Sequence, residues 1–164
     1  MIFHPLQNTA VKFLGGFGQN RPRITQRFGD RPEVYKQFGH KGHNGVDFGP
    51  NGNETVYAPF TGVVTVLDQG DAGYGLHVKI TDSEKECVLG HLSEVFVKNG
   101  AKVYACEQIG KMGNTGFSSA KHLHFGLKHL KDGKVITPNN GYKGSIDPLP
   151  VLVNWKGSHL KNDL

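Results

Sequence analysis

The sequence predicts an all-β, β-dominated fold built on antiparallel strands. Short apolar runs recur every ~8–12 residues, each bounded by a turn signal. Glycine is abundant, at 23 of 164 residues, with 8 prolines beside it. No stretch repeats apolar residues at helical spacing for long enough to form a long amphipathic helix. A chain of this length suits one domain. Its 37% hydrophobic and 20% charged residues are a globular balance, neither disordered nor membrane-like.

Residues 1–23 read as an irregular lead-in with Gly15, Gly16 and Gly18. A domain follows over 24–153, and 154–164 read as a polar tail. A Gly-, His- and Phe-rich stretch fills 24–50, with room for a short helix over 31–38. TVYAPF reads as a strand, Thr61-Gly62 as a turn and VVTVL as the next strand. QGDAGYG is a loop, LHVKIT a strand, SEKE a polar hairpin tip and CVLGHL the returning strand. An apolar patch follows over 94–104, with a turn at Asn99-Gly100. QIGKMGNTG is strand and turn, HLHFGLKHL a strand of period two, and KDGK a turn. Asp147-Pro148 precedes a last apolar run, LPVLV.

The net charge of +5 favours polyanionic surroundings, either nucleic acid or an anionic bacterial wall. All four arginines (Arg21, Arg23, Arg27, Arg31) fall in one short stretch, read as a solvated face. No nucleic-acid-binding motif accompanies them, so no nucleic acid is expected as partner. Cys87 and Cys106 are too few for a disulfide scaffold and lack metal spacing; free thiols are expected. No apolar run approaches the ~18 residues of a membrane span. Met1-Ile2-Phe3-His4-Pro5 has no basic start and no sustained apolar segment, so no signal peptide is read there.

Nine histidines is a high count. His4, His40, His77, His129 and His159 have no partner spacing and read as surface or satisfied side chains. The other four are spaced. His43 and Asp47 stand four apart; on a strand both face one side, with Asn44, Val46 and Phe48 on the other. His122 and His124 stand two apart, with Leu123 and Phe125 turned into the core. His91 ends a third strand run. Two imidazoles and a carboxylate suit Zn²⁺, and three protein ligands leave a fourth position for water, as in a catalytic site. HxxxD or HxH alone is weak; both in order with His91 between them is much stronger.

In these motifs the chain resembles the lysostaphin-type (LytM-like) zinc endopeptidases, from about Ile24 to Leu152. GHNGVDFG matches the first motif. Val56-Tyr57-Ala58-Pro59 through Gly62-Val63-Val64, Gly73-Tyr74-Gly75, His91-Leu92, Gly113-Asn114-Thr115-Gly116, His122-Leu123-His124-Phe125 and Asp147-Pro148 follow in order. The resemblance implies one zinc ion held by His43, Asp47 and His124, with His91 and His122 as the catalytic pair. It implies an antiparallel sheet flooring a narrow, loop-walled catalytic groove, which in many members admits only small residues such as glycine. Three positions depart from the pattern. Leu89 stands for a Tyr two residues before the HL histidine, which is expected to alter the groove wall. Cys106-Glu107 stands for Gly-Gln, and Ser118-Ser119-Ala120-Lys121 for Ser-Thr-Gly-Pro.

The expected function is hydrolysis of peptide bonds in bacterial peptidoglycan, in stem peptides or cross-bridges, by a zinc-activated water. There is no HExxH-type base, so proton transfer falls to His91 and His122, with base and oxyanion roles left open between them. The expected setting is the cell wall, reached as a phage lytic enzyme or as part of an exported hydrolase, and a monomer is expected. A catalytically inactive binding or activator module, and a structural β-domain with scattered histidines, are the rival readings. Zinc content and wall lysis separate them.

Overall fold

The computed structural model describes residues 2–3, 23–50, 52 and 54–153. Most of the lead-in and the whole polar tail, with His4, His159 and Arg21, lie outside the described residues. No helix among the described residues is long and apolar enough to cross a membrane.

The strands are β1 (Ile2–Phe3), β2 (Ile24–Gln26), β3 (Val46–Phe48), β4 (Thr55–Tyr57), β5 (Gly62–Asp68), β6 (Leu76–Thr81) and β7 (Lys85–Gly90). They continue as β8 (Leu92–Val95), β9 (Lys102–Val103), β10 (Gln108–Met112), β11 (Leu123–Lys131), β12 (Lys134–Val135), β13 (Ser145–Ile146) and β14 (Leu152–Val153). The main sheet runs β2-β3-β11-β7-β6-β5-β9, with β12 and β13 also on β11. A small sheet, β4-β10-β8, packs against it. Every pairing in both sheets is antiparallel. The expected short helix is α1 (Pro32–Tyr35), continued as a 3-10 turn over Lys36–Phe38. Pro32 suits its first turn because its missing N–H would be unpaired there anyway.

Alternation explains the strands. In β5, Val64 is buried while Val63 is exposed. In β6, Val78 and Ile80 point into the core and Lys79 points away. The β6–β7 hairpin closes at Ser83-Glu84, where the Asp82 carboxylate accepts the backbone N–H groups of Glu84 and Lys85 at 2.8 Å each. That is the local bond that makes Asp a turn former. Leu89, Phe125 and Val46 lie in register across β7, β11 and β3. From the small sheet, Val56, Ile109, Met112 and Leu92 complete the core. Cys87 is a buried thiol in that core and Cys106 a half-buried one, and neither is in a disulfide.

Three expectations change. The run CVLGHL is not one strand: β7 stops at Gly90, His91 turns with φ 62°, and β8 crosses into the small sheet. The His91 N–H bonds to the Tyr74 carbonyl at 2.8 Å, which holds that turn. Leu89 is fully buried beside Phe125, so its side chain is core and not groove wall. Within the stretch read as lead-in, Ile2–Phe3 pairs parallel with β14.

Candidate metal centre and groove

The register of three strands builds the site. His124 of β11 lies opposite Asp47 of β3 on one side and Gly90 of β7 on the other. A Cβ on Gly90 would stand 3.3 Å from His124 Cβ and 3.4 Å from the Tyr74 ring, so glycine lets both close in.

His43 is not on a strand, as the i, i+4 argument assumed. It lies in the loop before β3, where its N–H bonds Asp30 O and its carbonyl accepts Gly29 N–H, both at 2.8 Å. Nor does Asn44 face away: its side-chain amide donates to the Tyr74 hydroxyl at 2.5 Å, and it lines the groove. The bend between His43 and Asp47 passes through Gly45. A Cβ there would lie 2.5 Å from Phe125 O and 2.7 Å from His124 Cε1. Gly45→Ala must therefore push β3 off β11 or tilt the His124 ring. Overpacking of this kind costs ~1–3 kcal/mol, and urea denaturation should show that loss.

His43 Nε2, His124 Nδ1 and Asp47 Oδ1 converge, with separations of 2.9, 3.1 and 3.1 Å. All three residues are buried. His43 Nδ1 faces the Arg27 carbonyl at 3.1 Å. A carbonyl only accepts, so Nδ1 carries a proton and Nε2 is the ring nitrogen turned to the centre. Burial opposes ionisation of Asp47, yet hydrogen bonds from His124 and His43 hold its carboxyl well below the usual range. Burial, with the charges of His43 and His122 against the Asp47 hydrogen bond, lowers His124 to about 4. The centre thus joins two histidine rings to an ionised carboxylate. Ligands ~2.0–2.1 Å from a tetrahedral ion sit ~3.3 Å apart, so these donors need move only tenths of an ångström to accept one. Donor set and geometry fit a divalent metal, and the three residues form a group that could hold one.

His91 and His122 stand beside the triad, ring centroids 4.6 Å apart. His91 Nδ1 donates to Thr115 O at 2.7 Å and His122 Nδ1 to Ala120 O at 2.8 Å. Each Nδ1 therefore carries a proton, and the Nε2 of His122 is 3.4 Å from Asp47 Oδ2. Burial, then the neighbouring His124 and His122, lowers His91 to about 4, so it is neutral at working pH. All five sequence-derived residues therefore meet around one point. Ser118 Oγ lies 3.2 Å from His122 Nδ1, so the stretch that departs from the family pattern still orients that ring.

The site floors a groove of about 860 Å³. Its lining includes Tyr35, Phe38, His40, Tyr74 and Phe117, with the Phe38 and Phe117 rings edge to face at 5.2 Å. Tyr35 stacks 5.0 Å from the His43 ring and accepts a hydrogen bond from Gln26, and Tyr74 lies 5.0 Å from His124. Burial and the nearby Asp47 push the Tyr35 phenol up to about 12, so it stays a hydrogen-bond donor. Sequence reasoning missed these walls: only Tyr74, inside Gly73-Tyr74-Gly75, had a motif. His77 is buried and satisfied by Gly75 O at 2.8 Å, and His129 is exposed, both as expected. His40 is neither; it lines the groove with Nδ1 buried and unpartnered.

Comparison with known proteins agrees with this geometry. The chain is 37% identical over 86 residues to the peptidoglycan DD-endopeptidase ShyA of Vibrio cholerae, covering 52% of this chain and 20% of that protein. It is 35% identical over 113 residues to the glycyl-glycine endopeptidase ALE-1 of Staphylococcus capitis, covering 67% of this chain and 29% of the relative. The chain thus spans less than a third of either relative's length. The catalytic domain of the antimicrobial peptidase lysostaphin from Staphylococcus simulans superposes with a TM-score of 0.62 at 28% identity, covering 79% of this chain and 91% of that domain. Residues 41–139, which hold all five converging side chains, match peptidase family M23, and the chain belongs to that family.

Proposed function

We propose that the chain is a zinc-dependent endopeptidase that hydrolyses peptide bonds of bacterial peptidoglycan, acting on the wall outside the cytoplasm. The convergence of His43, Asp47 and His124, with the His91 and His122 rings beside them, carries this reading. His43 Nε2, Asp47 Oδ1 and His124 Nδ1 would hold the zinc. When bound, zinc supplies Lewis acidity, acidifying a water and polarising a carbonyl.

The chain's own residues do the rest. The β-sheet floor and the aromatic walls align an extended peptide and limit water around it. His91 and His122, each with Nδ1–H tied to a backbone carbonyl, offer Nε2 to the reacting centre. One takes the proton from the attacking water and the pair returns it to the leaving amine. Held tautomers keep this exchange from needing ring reorientation.

Purified protein should contain about one zinc per chain and should clear suspensions of purified peptidoglycan. Chelation should stop clearing, and zinc should restore it. Mass analysis of fragments should show cut peptide bonds with glycan strands intact. Undiminished clearing after complete metal removal would defeat the proposal.

A further inference from the structure

The two relatives named above differ in what their names say they cut, a DD-peptide bond or a glycyl-glycine bond. The groove differs in charge along its lining. Apart from Asp47 and the histidine cluster, the ionisable groups lining it include Arg31, His40 and Lys143 against Asp71. We propose that Lys143 and His40, with Arg31 at the rim, form a carboxylate-binding end of this groove. The preferred substrate then carries a free carboxylate near the scissile bond, as peptidoglycan stem peptides do, and is not a neutral oligoglycine bridge. This rests on the peptidase reading and adds the substrate class to it.

Lys143 is fixed in place. Its backbone is left-handed at φ 51°, in a turn whose Gly141 and Gly144 are also at positive φ. Its Nζ donates to Phe38 O at 2.9 Å. Its stem lies over Gly39, where an added Cβ would meet Cε at 3.5 Å. A lysine tied down on one carbonyl has two further N–H groups to offer. Beside it, His40 keeps a buried Nδ1 without a partner in a lining position. Burial first, then the nearby Lys143 and Lys128, disfavours a positive charge on His40, so Lys143 sets positive charge beside it on the groove lining. Arg31, with a left-handed backbone at φ 52°, also lines the groove and stands 3.8 Å from the Glu33 carboxylate. A carboxylate satisfies the idle donors; a carboxamide matches them less well, because its amine meets cations.

The test uses the full chain and stem-peptide pairs that differ only in a free carboxylate or its carboxamide. Fragments too short to be cut report binding by calorimetry, and longer ones report cleavage. The acid form should bind about tenfold tighter than the amide, the worth of one charge-assisted hydrogen bond. The same ratio should appear in kcat/KM, carried by KM. Lys143→Met should bring both ratios near one, and Lys143→Glu should invert them, with zinc content unchanged. Equal binding of acid and amide by the parent, or a ratio untouched in Lys143→Met, overturns the inference. If the binding ratio holds while no peptide is cut, the peptidase reading fails and the carboxylate site stands.

Discussion

Asp47→Asn is expected to abolish zinc binding and turnover together while leaving the β-scaffold folded. The substitution is isosteric, and an amide oxygen can still accept from His124 Nδ1, which lies 3.1 Å from Asp47 Oδ1. The β3–β11 register, with Asp47 opposite His124, therefore has no reason to slip. What disappears is the one negative charge facing the centre. In a site this buried, that charge offsets a divalent cation under little solvent screening. Zinc present at ~1,000 times its Kd stabilises the folded parent by ~4.1 kcal/mol. For a domain of this size that raises Tm by ~8–16 °C. The variant should show no rise with zinc, and its loss of activity should exceed the ~10²–10⁴ of a proton-transfer residue alone. Metal analysis, thermal denaturation with and without zinc, and wall clearing read the three effects. Zinc-dependent stabilisation surviving in Asp47→Asn would remove Asp47 from the ligand set.

The same residues show how much a sequence can carry. Strands β5, β6 and β11 were readable because each keeps one face in the core, so Val64 and Val66, Val78 and Ile80, and Leu123, Phe125 and Leu127 recur at period two. The convergence of His43, Asp47 and His124 was readable because metal ligation limits the residue types and puts two pairs close in sequence. The reason first given for one pair was wrong in detail. His43 reaches Asp47 through a loop pinned to residues 27–30 and a bend at Gly45, not along a strand face. The turn at His91 was unreadable, since its cause is a carbonyl of Tyr74 and another of Thr115, 17 and 24 residues away. The walls left no trace for the same reason. Tyr35 ends α1 and Phe117 comes from a distant loop, and each alone looks like an ordinary aromatic; only Tyr74 sits in a motif. His40 shows the limit most plainly. Without a spaced partner it reads as a surface histidine, and only the fold sets it beside Lys143 on the groove.

Removing either imidazole outside the triad should separate metal binding from chemistry. His122→Ala and His91→Asn should both retain zinc, because neither residue offers an atom to the convergent set. Asparagine is the better replacement at residue 91, where the backbone sits at φ 62° and most side chains are strained. Each variant should lose ~10²–10⁴ in kcat, which is ~2.7–5.5 kcal/mol of barrier, with KM little changed. The two rings face each other at 4.6 Å and each ties Nδ1 to a backbone carbonyl, so they are expected to act on one proton path. Residues that work as a unit are not additive. The double variant should therefore lose little more than the worse single one. Single-turnover cleavage of a soluble peptide, with zinc measured on the same samples, gives the comparison. Fully multiplicative losses would mean that the two histidines serve separate steps. Zinc lost along with activity in His122→Ala would mean that this ring supports the metal through Asp47, whose Oδ2 it approaches at 3.4 Å, and not the proton transfer assigned to it.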